Sequence, residues 1–362
     1  MASRLTAIYH VRADAASIAE RARAIAVEQS VEMPVAAIDD RFVLDEIVGT
    51  VEATRPLEKN LFEVRIGLAA ATIGHDAGQL FNMLFGNTSL HEDVVLHDVD
   101  LPAEFVALFE GPRHGLAVLR QRVGAGKRAL TCSALKPQGL TPAALAELAK
   151  KIAAGGVDYI KDDHGLADQD YSPLAARVQA IATALTPYPG TRYVPSLSGD
   201  LGAMRRQIAA AAAVGIDIAM VAPMVCGVAN FHRLVQDNPG FAFVAHPALA
   251  GAARIAPPLL MGKLFRLLGA DAVVFPNHGG RFGYSPATCR ALAAAALAEW
   301  HGLHRTVPVP AGGMTPDRIG EMLDFYGADI MLLIGGGLLQ ARERLTEETA
   351  TFVAAVQGFA YG

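Results

Sequence analysis

Residues 130–164 read LTCSALKPQGLTPAALAELAKKIAAGGVDYIKDDH. An apolar run, Leu130–Leu135, leads through a short Lys-Pro-Gln-Gly loop into an Ala/Leu-rich helical stretch at 142–153. A Gly-Gly break then opens a second apolar run at 157–160. Short apolar runs bounded by Gly and Pro read as buried strands, and the Ala/Leu stretch between them as a helix. The unit recurs down the chain. Further strands are predicted at 192–195, 216–221, 241–245, 272–275, 307–309 and 330–334, with helices at 174–185, 201–214, 256–268, 286–300 and 317–325. Eight alternations over about 230 residues predict an α/β fold, a (β/α)8 TIM barrel. An open doubly wound sheet is the alternative, weakened because no G-x-G-x-x-G follows a strand.

Toward the N-terminus the pattern changes. Strands are predicted at 5–11, 42–53, 61–69 and 94–99, and helices at 15–27 and 76–85. That βαββαβ order is the ferredoxin-like motif. The expected organisation is a small ferredoxin-like α+β domain at 1–110, a connecting segment at 111–128 and the barrel at 129–362.

Composition narrows the function classes. The 362 residues are 52% hydrophobic and 19% charged, with a formal net charge of -5. Such a chain can bury a large core, and no Lys/Arg run offers a nucleic-acid footprint. Cys132, Cys226 and Cys289 are scattered and odd in number, which excludes a disulfide framework and fits a reduced, cytoplasmic setting. The residues before Asp14 have no apolar core of a signal peptide. The apolar stretch 208–231 is broken by Gly215, Pro223 and Gly227, so no membrane span is expected.

Barrels of this type keep their chemistry at the carboxyl ends of the strands. Seven of the eight predicted ends carry polar groups or clustered glycines. The first ends in Lys136, the second in Lys161-Asp162-Asp163-His164, the third in Ser196 and Ser198, and the fifth in His246. The sixth ends in Asn277-His278-Gly279-Gly280-Arg281, the seventh in Gly312-Gly313 and the eighth in Gly335-Gly336-Gly337. Strand alternation sends Lys161 and Asp163 to one side and Asp162 to the other. The cluster reads equally well as a divalent-metal site or as a solvated run of charges. Bare glycine backbone at the last two ends favours a phosphate cradle over simple tight turns.

Taken together, these residues resemble the large subunit of ribulose-1,5-bisphosphate carboxylase/oxygenase, RuBisCO. The likeness covers nearly the whole chain. It is most specific in Gly155-Gly156-Val157-Asp158-Tyr159-Ile160-Lys161-Asp162-Asp163, similar to the family's G-G-x-D-x-x-K-D-D segment. Gly111-Pro112-Arg113-His114-Gly115 resembles the family's domain junction, and Leu135-Lys136-Pro137 its first-strand lysine motif. Ala311-Gly312-Gly313 and Gly335-Gly336-Gly337 resemble its phosphate loops, and His246 its fifth-strand histidine. The resemblance implies Mg2+ held by carbamylated Lys161, Asp163 and His164, with Lys136 and His246 as further catalytic groups. It also implies phosphate bound at Gly312, Gly313, Gly335 and Gly336. Glu28 and Asn87 would complete the neighbouring subunit's site, making a homodimer or a dimer-based oligomer.

Departures from the carboxylase pattern decide the expected activity. His164 stands where the family has Glu, and Gln138 where it has a second lysine. His246 is followed by Pro247, not Arg, and the sixth loop has no lysine. These point to a RuBisCO-like protein of the form IV branch that does not fix CO2. The preferred expectation is decarboxylation of a sugar-acid phosphate, 3-oxo-isoapionate 4-phosphate, with Arg281 and His278 recognising the substrate. The alternatives are an enolase or isomerase of a methylthioribulose or diketo-methylthiopentyl phosphate, and a catalytically degenerate binding protein.

Overall fold

The computed structural model describes residues 3–361. Its backbone contacts define two units. One comprises the described residues up to Glu110 with Leu249–Leu260, and the other Gly111–Ala248 with those from Met261 onward.

The first unit is built on an antiparallel sheet in the order β2-β3-β1-β4, made of β1 (Arg4–Arg12), β2 (Thr50–Glu58), β3 (Leu61–Ala69) and β4 (Val94–Asp100). Helices Ile18–Glu28 and Ala77–Phe85 supply the two crossovers. Leu5, Ala7, Tyr9 and Val11 alternate into the core from β1. The extended run expected at 42–53 is only partly so. Val43–Ile47 forms a π-helical turn, and the strand starts at Thr50. Asp40 explains the difference, because its carboxylate accepts the Val43 N–H at 3.0 Å and its carbonyl the Leu44 N–H at 3.0 Å. At Gly49 the chain passes so close to the helix Ile18–Glu28 that a Cβ would stand 2.4 Å from the Ala26 carbonyl oxygen.

The second unit is the barrel. Its parallel strands are β5 (Leu130–Leu135), β6 (Tyr159–Asp162), β7 (Arg192–Val194), β8 (Ile218–Val221), β9 (Ala242–Ala245), β10 (Ala272–Pro276), β11 (Val307–Ala311) and β12 (Met331–Leu333). They pair as β12-β5-β6-β7 and β8-β9-β10-β11. A Ser196–Met220 bridge closes one seam, with the Met220 N–H donating to the Pro195 carbonyl at 2.8 Å. At the other seam β11 lies beside β12. Side-chain caps start several outer helices: Thr141, Asp200 and Ser285 accept the N–H of Ala144, Ala203 and Thr288. Each cap contributes about 1 kcal/mol.

Val194, Met220, Val244, Val274, Val309 and Leu333 belong to the packed apolar interior. The helix Gly115–Arg122 adds Leu116 and Leu119 to that core, and the Tyr159 hydroxyl donates to the Leu119 carbonyl at 2.7 Å. Buried Asp271 fastens the start of this helix by accepting the N–H groups of His114 and Gly115, both at 2.8 Å. The filled interior makes the barrel a packed core and not a pore. No helix among the described residues is long and apolar enough to cross a membrane.

Candidate active site

The second barrel strand sets the geometry. Tyr159 joins the barrel interior, and two residues on, Lys161 is 6% exposed. Asp162 points the opposite way and is fully buried. It accepts the Arg177 Nε–H at 3.1 Å, the Tyr193 hydroxyl at 2.7 Å and the Ser196 N–H at 3.1 Å. With three donors already placed, Asp162 is a structural anchor for the strand, and Arg177 and Tyr193 are partners that the sequence reading missed.

Lys161 Nζ makes its described hydrogen bond to the Asp162 carbonyl at 2.8 Å. Burial, with Lys136 nearby, lowers its pKa to about 8. Asp163 is 3% exposed and is held on three sides. Lys136 Nζ is ion-paired to Oδ2, while the Gly165 N–H (2.9 Å) and His164 Nδ1 (3.2 Å) meet Oδ1. Gln138 lies over this turn, where a Cβ on Gly165 would collide with its side chain.

His164 stacks on His246, with ring centroids 4.5 Å apart and planes 6° from parallel. Burial, then the charges of Lys161, Lys136 and Arg281, lower the His164 pKa. Burial and Lys161 hold His246 neutral, with its pKa down to about 2. His246 Nδ1 accepts the Ala248 N–H at 3.2 Å. The neutral ring therefore carries its proton on Nε2, a donor for a bound oxygen atom. Lys136 is also depressed, by burial and then by Arg281. Lys136, Lys161, Asp163, His164 and His246 thus form one electrostatically linked group, within which Arg281 is felt.

The glycine loops border this group. A Cβ on Gly335 would stand 3.3 Å from Ala134 Cβ and 3.9 Å from Lys136 Cε. Gly312 and Gly313 have φ of +85° and +101°, a region that favours glycine. The sixth loop leans on them: the Arg281 N–H donates to the Gly312 carbonyl at 2.9 Å, and the Phe282 ring occupies the space a Gly312 Cβ would need. His278 sits apart from the cluster. Its ring packs on Phe325 at 4.5 Å, beside Tyr326, so it faces the outer helix Ile319–Tyr326 and not the group around Lys161. In the first unit, Asn87 Nδ2 donates to Glu28 Oε1 at 2.9 Å and to Glu32 Oε1 at 3.2 Å. Buried Gln29 fixes that pairing by accepting the Thr88 N–H at 3.1 Å. Glu32 is a member of this cluster that the sequence reading did not single out.

No three His, Cys, Asp or Glu side chains among the described residues are placed to hold a metal ion. Asp163 and His164 supply two donors. The His164 ring stands beside that carboxylate, with Nδ1 3.2 Å from Asp163 Oδ1. A third donor, anionic like Asp163, would come from Lys161 if its amine carried CO2, a reaction that requires the unprotonated amine its burial favours. With that carbamate, the residues fit a divalent cation.

A family model described as "Ribulose bisphosphate carboxylase large chain, catalytic domain" matches residues 115–342. The chain belongs to the RuBisCO large-chain family. It is 60% identical, over 99% of its length and 98% of the relative's, to 5-methylthioribulose-1-phosphate isomerase of Rhodospirillum rubrum. It is 32% identical to 2,3-diketo-5-methylthiopentyl-1-phosphate enolase of Geobacillus thermodenitrificans, over 81% of this chain and 76% of that protein. The crystal structure of a Rubisco-like protein from Rhodopseudomonas palustris superposes on all of this chain and all of its own, with TM-score 0.93 and 51% identity. Within the RuBisCO family, the chain therefore stands with the RuBisCO-like proteins.

Proposed function

We propose that the protein isomerises a 5-methylthio sugar phosphate, with 5-methylthioribulose 1-phosphate as substrate. The observation that carries this reading is the 60% identity across 99% of the chain to the isomerase of that name. The preferred sequence expectation, decarboxylation of 3-oxo-isoapionate 4-phosphate, has no support in the relatives. Arg281, expected to recognise that substrate, stands at the glycine loops, where a phosphate fits as well. The proposed enzyme is a homodimer or a dimer-based assembly in which Glu28 and Asn87 serve the partner's site.

Isomerising a ketose phosphate takes a proton from the carbon beside the carbonyl, forms an enediolate, and returns a proton to the former carbonyl carbon. The chemistry needs a proton-moving group and fixed charge around the oxygens. Lys136, depressed by burial and Arg281, is the proton-moving group. The His246 Nε2–H donates to a substrate oxygen. Backbone at Gly312, Gly313, Gly335 and Gly336, with Arg281, binds the phosphate. Lys161 as its carbamate, Asp163 and His164 would hold Mg2+, which when bound polarises the carbonyl and stabilises the enediolate.

Purified protein with Mg2+ and bicarbonate should convert 5-methylthioribulose 1-phosphate to an isomeric phosphate ester, followed by phosphorus NMR, and should release no CO2 from 3-oxo-isoapionate 4-phosphate. CO2 release without isomerisation would restore the decarboxylase, and silence on both would favour the degenerate binding protein.

A further inference from the structure

Behind the sixth loop lies a buried polar knot that the chemistry above does not use. Asn277, the first residue after β10, is fully buried. Its Oδ1 accepts the Tyr326 hydroxyl at 2.6 Å. Its Nδ2 donates to the His278 carbonyl at 3.1 Å and faces the sulfurs of Met322 (2.9 Å) and Met314 (3.2 Å). Thioether sulfur is a weak acceptor, so the tyrosine hydroxyl is the strong partner from outside the loop. Tyr326 ends the outer helix Ile319–Tyr326 and packs edge-on against Phe275 and Phe325.

The loop that this knot roots runs directly into the site. The Asn277 N–H donates to the Ala311 carbonyl at 2.8 Å and the Arg281 N–H to the Gly312 carbonyl at 2.9 Å. Gly280 approaches Gly312 so closely that a Cβ there would lie 2.1 Å from the Gly312 oxygen. The Arg281 guanidinium lies 5.5 Å from the centroid of the Phe282 ring. A tilt of Asn277 would therefore be passed along the loop to Arg281.

We propose that Tyr326 is a positioning residue which, through Asn277, holds the sixth loop so that Arg281 meets the ligand phosphate over Gly312 and Gly313. The proposal rests on the reading of Arg281 and the glycine loops as the phosphate site. It requires no particular sugar, so a failed isomerase assay leaves it standing. Tyr326→Phe removes one hydroxyl and keeps the ring. The test is a double-mutant cycle with Arg281→Lys, using inorganic phosphate as the titrant and calorimetry as the readout. Tyr326→Phe alone should weaken phosphate binding about fivefold, the effect of one lost hydrogen bond. In the Arg281→Lys background it should weaken binding less than twofold, while the melting temperature falls equally in both backgrounds. Equal weakening in both backgrounds would overturn the proposal, because Tyr326 would then act without Arg281. A lower melting temperature with unchanged phosphate affinity would also overturn it, leaving Tyr326 a packing residue.

Discussion

Lys161 carries the clearest electrostatic consequence. Its pKa falls from 10.5 to about 8, so the folded chain loses this proton before the unfolded chain does. Below about 8 both states are charged and the folded state bears the full cost of burying the ammonium, roughly 3 kcal/mol. Between about 8 and 10.5 the unfolded chain binds more protons, so this cost is relieved and stability rises with pH. In protein kept free of CO2, Lys161→Met should raise the urea midpoint at pH 7 and flatten the rise above pH 8. A Lys161→Met midpoint at or below that of the parent chain at pH 7 would remove the claim. The alternation of β6 made the sides of Lys161, Asp162 and Asp163 legible in the sequence. It did not reveal the partners of Asp162, because Arg177 and Tyr193 lie 15 and 31 residues away. Period gives a residue's face and not its partner.

Among the elements, β6 is held by the buried Asp162–Arg177 pair. Removing one member of such a pair leaves an uncompensated charge, at a cost of about 3–5 kcal/mol. Asp162→Ala should lower stability by that amount in chemical denaturation, well beyond what Asp170→Ala does on the exposed loop that follows. A loss below about 1 kcal/mol would mean that the pair is not the anchor. The barrel strands were legible because each is a short apolar run between helical stretches, as in residues 130–164. Residues 43–47 were misread because alternation there competes with the Asp40 cap, and two local hydrogen bonds outweigh a period of two. The position of His278 was equally hidden. It follows β10 like the other residues of its loop, but its ring turns outward to Phe325.

For the whole molecule, strand order followed from a general rule: right-handed strand–helix–strand connections leave few ways to close eight strands. Assembly does not follow from any such rule. Glu28 and Asn87 pair with each other in the first unit, and their proposed service to a partner's site is testable by complementation. Glu28→Gln and Lys161→Ala should each lower turnover at least about a hundredfold alone. When the two variants are unfolded together and refolded, random pairing into two-fold dimers should restore about a quarter of the parent activity. No recovery would mean that each chain builds its site alone.

The most direct test of the central claim is turnover of 5-methylthioribulose 1-phosphate by the parent chain and by Lys161→Ala, both with Mg2+ and bicarbonate. The parent should convert the substrate to an isomeric phosphate ester, and Lys161→Ala should be slower by roughly a hundred- to a thousandfold, the scale at which charge-stabilising groups act. An inert parent chain, or equal conversion by both proteins, would contradict an enolising site built on Lys161, Asp163 and His164.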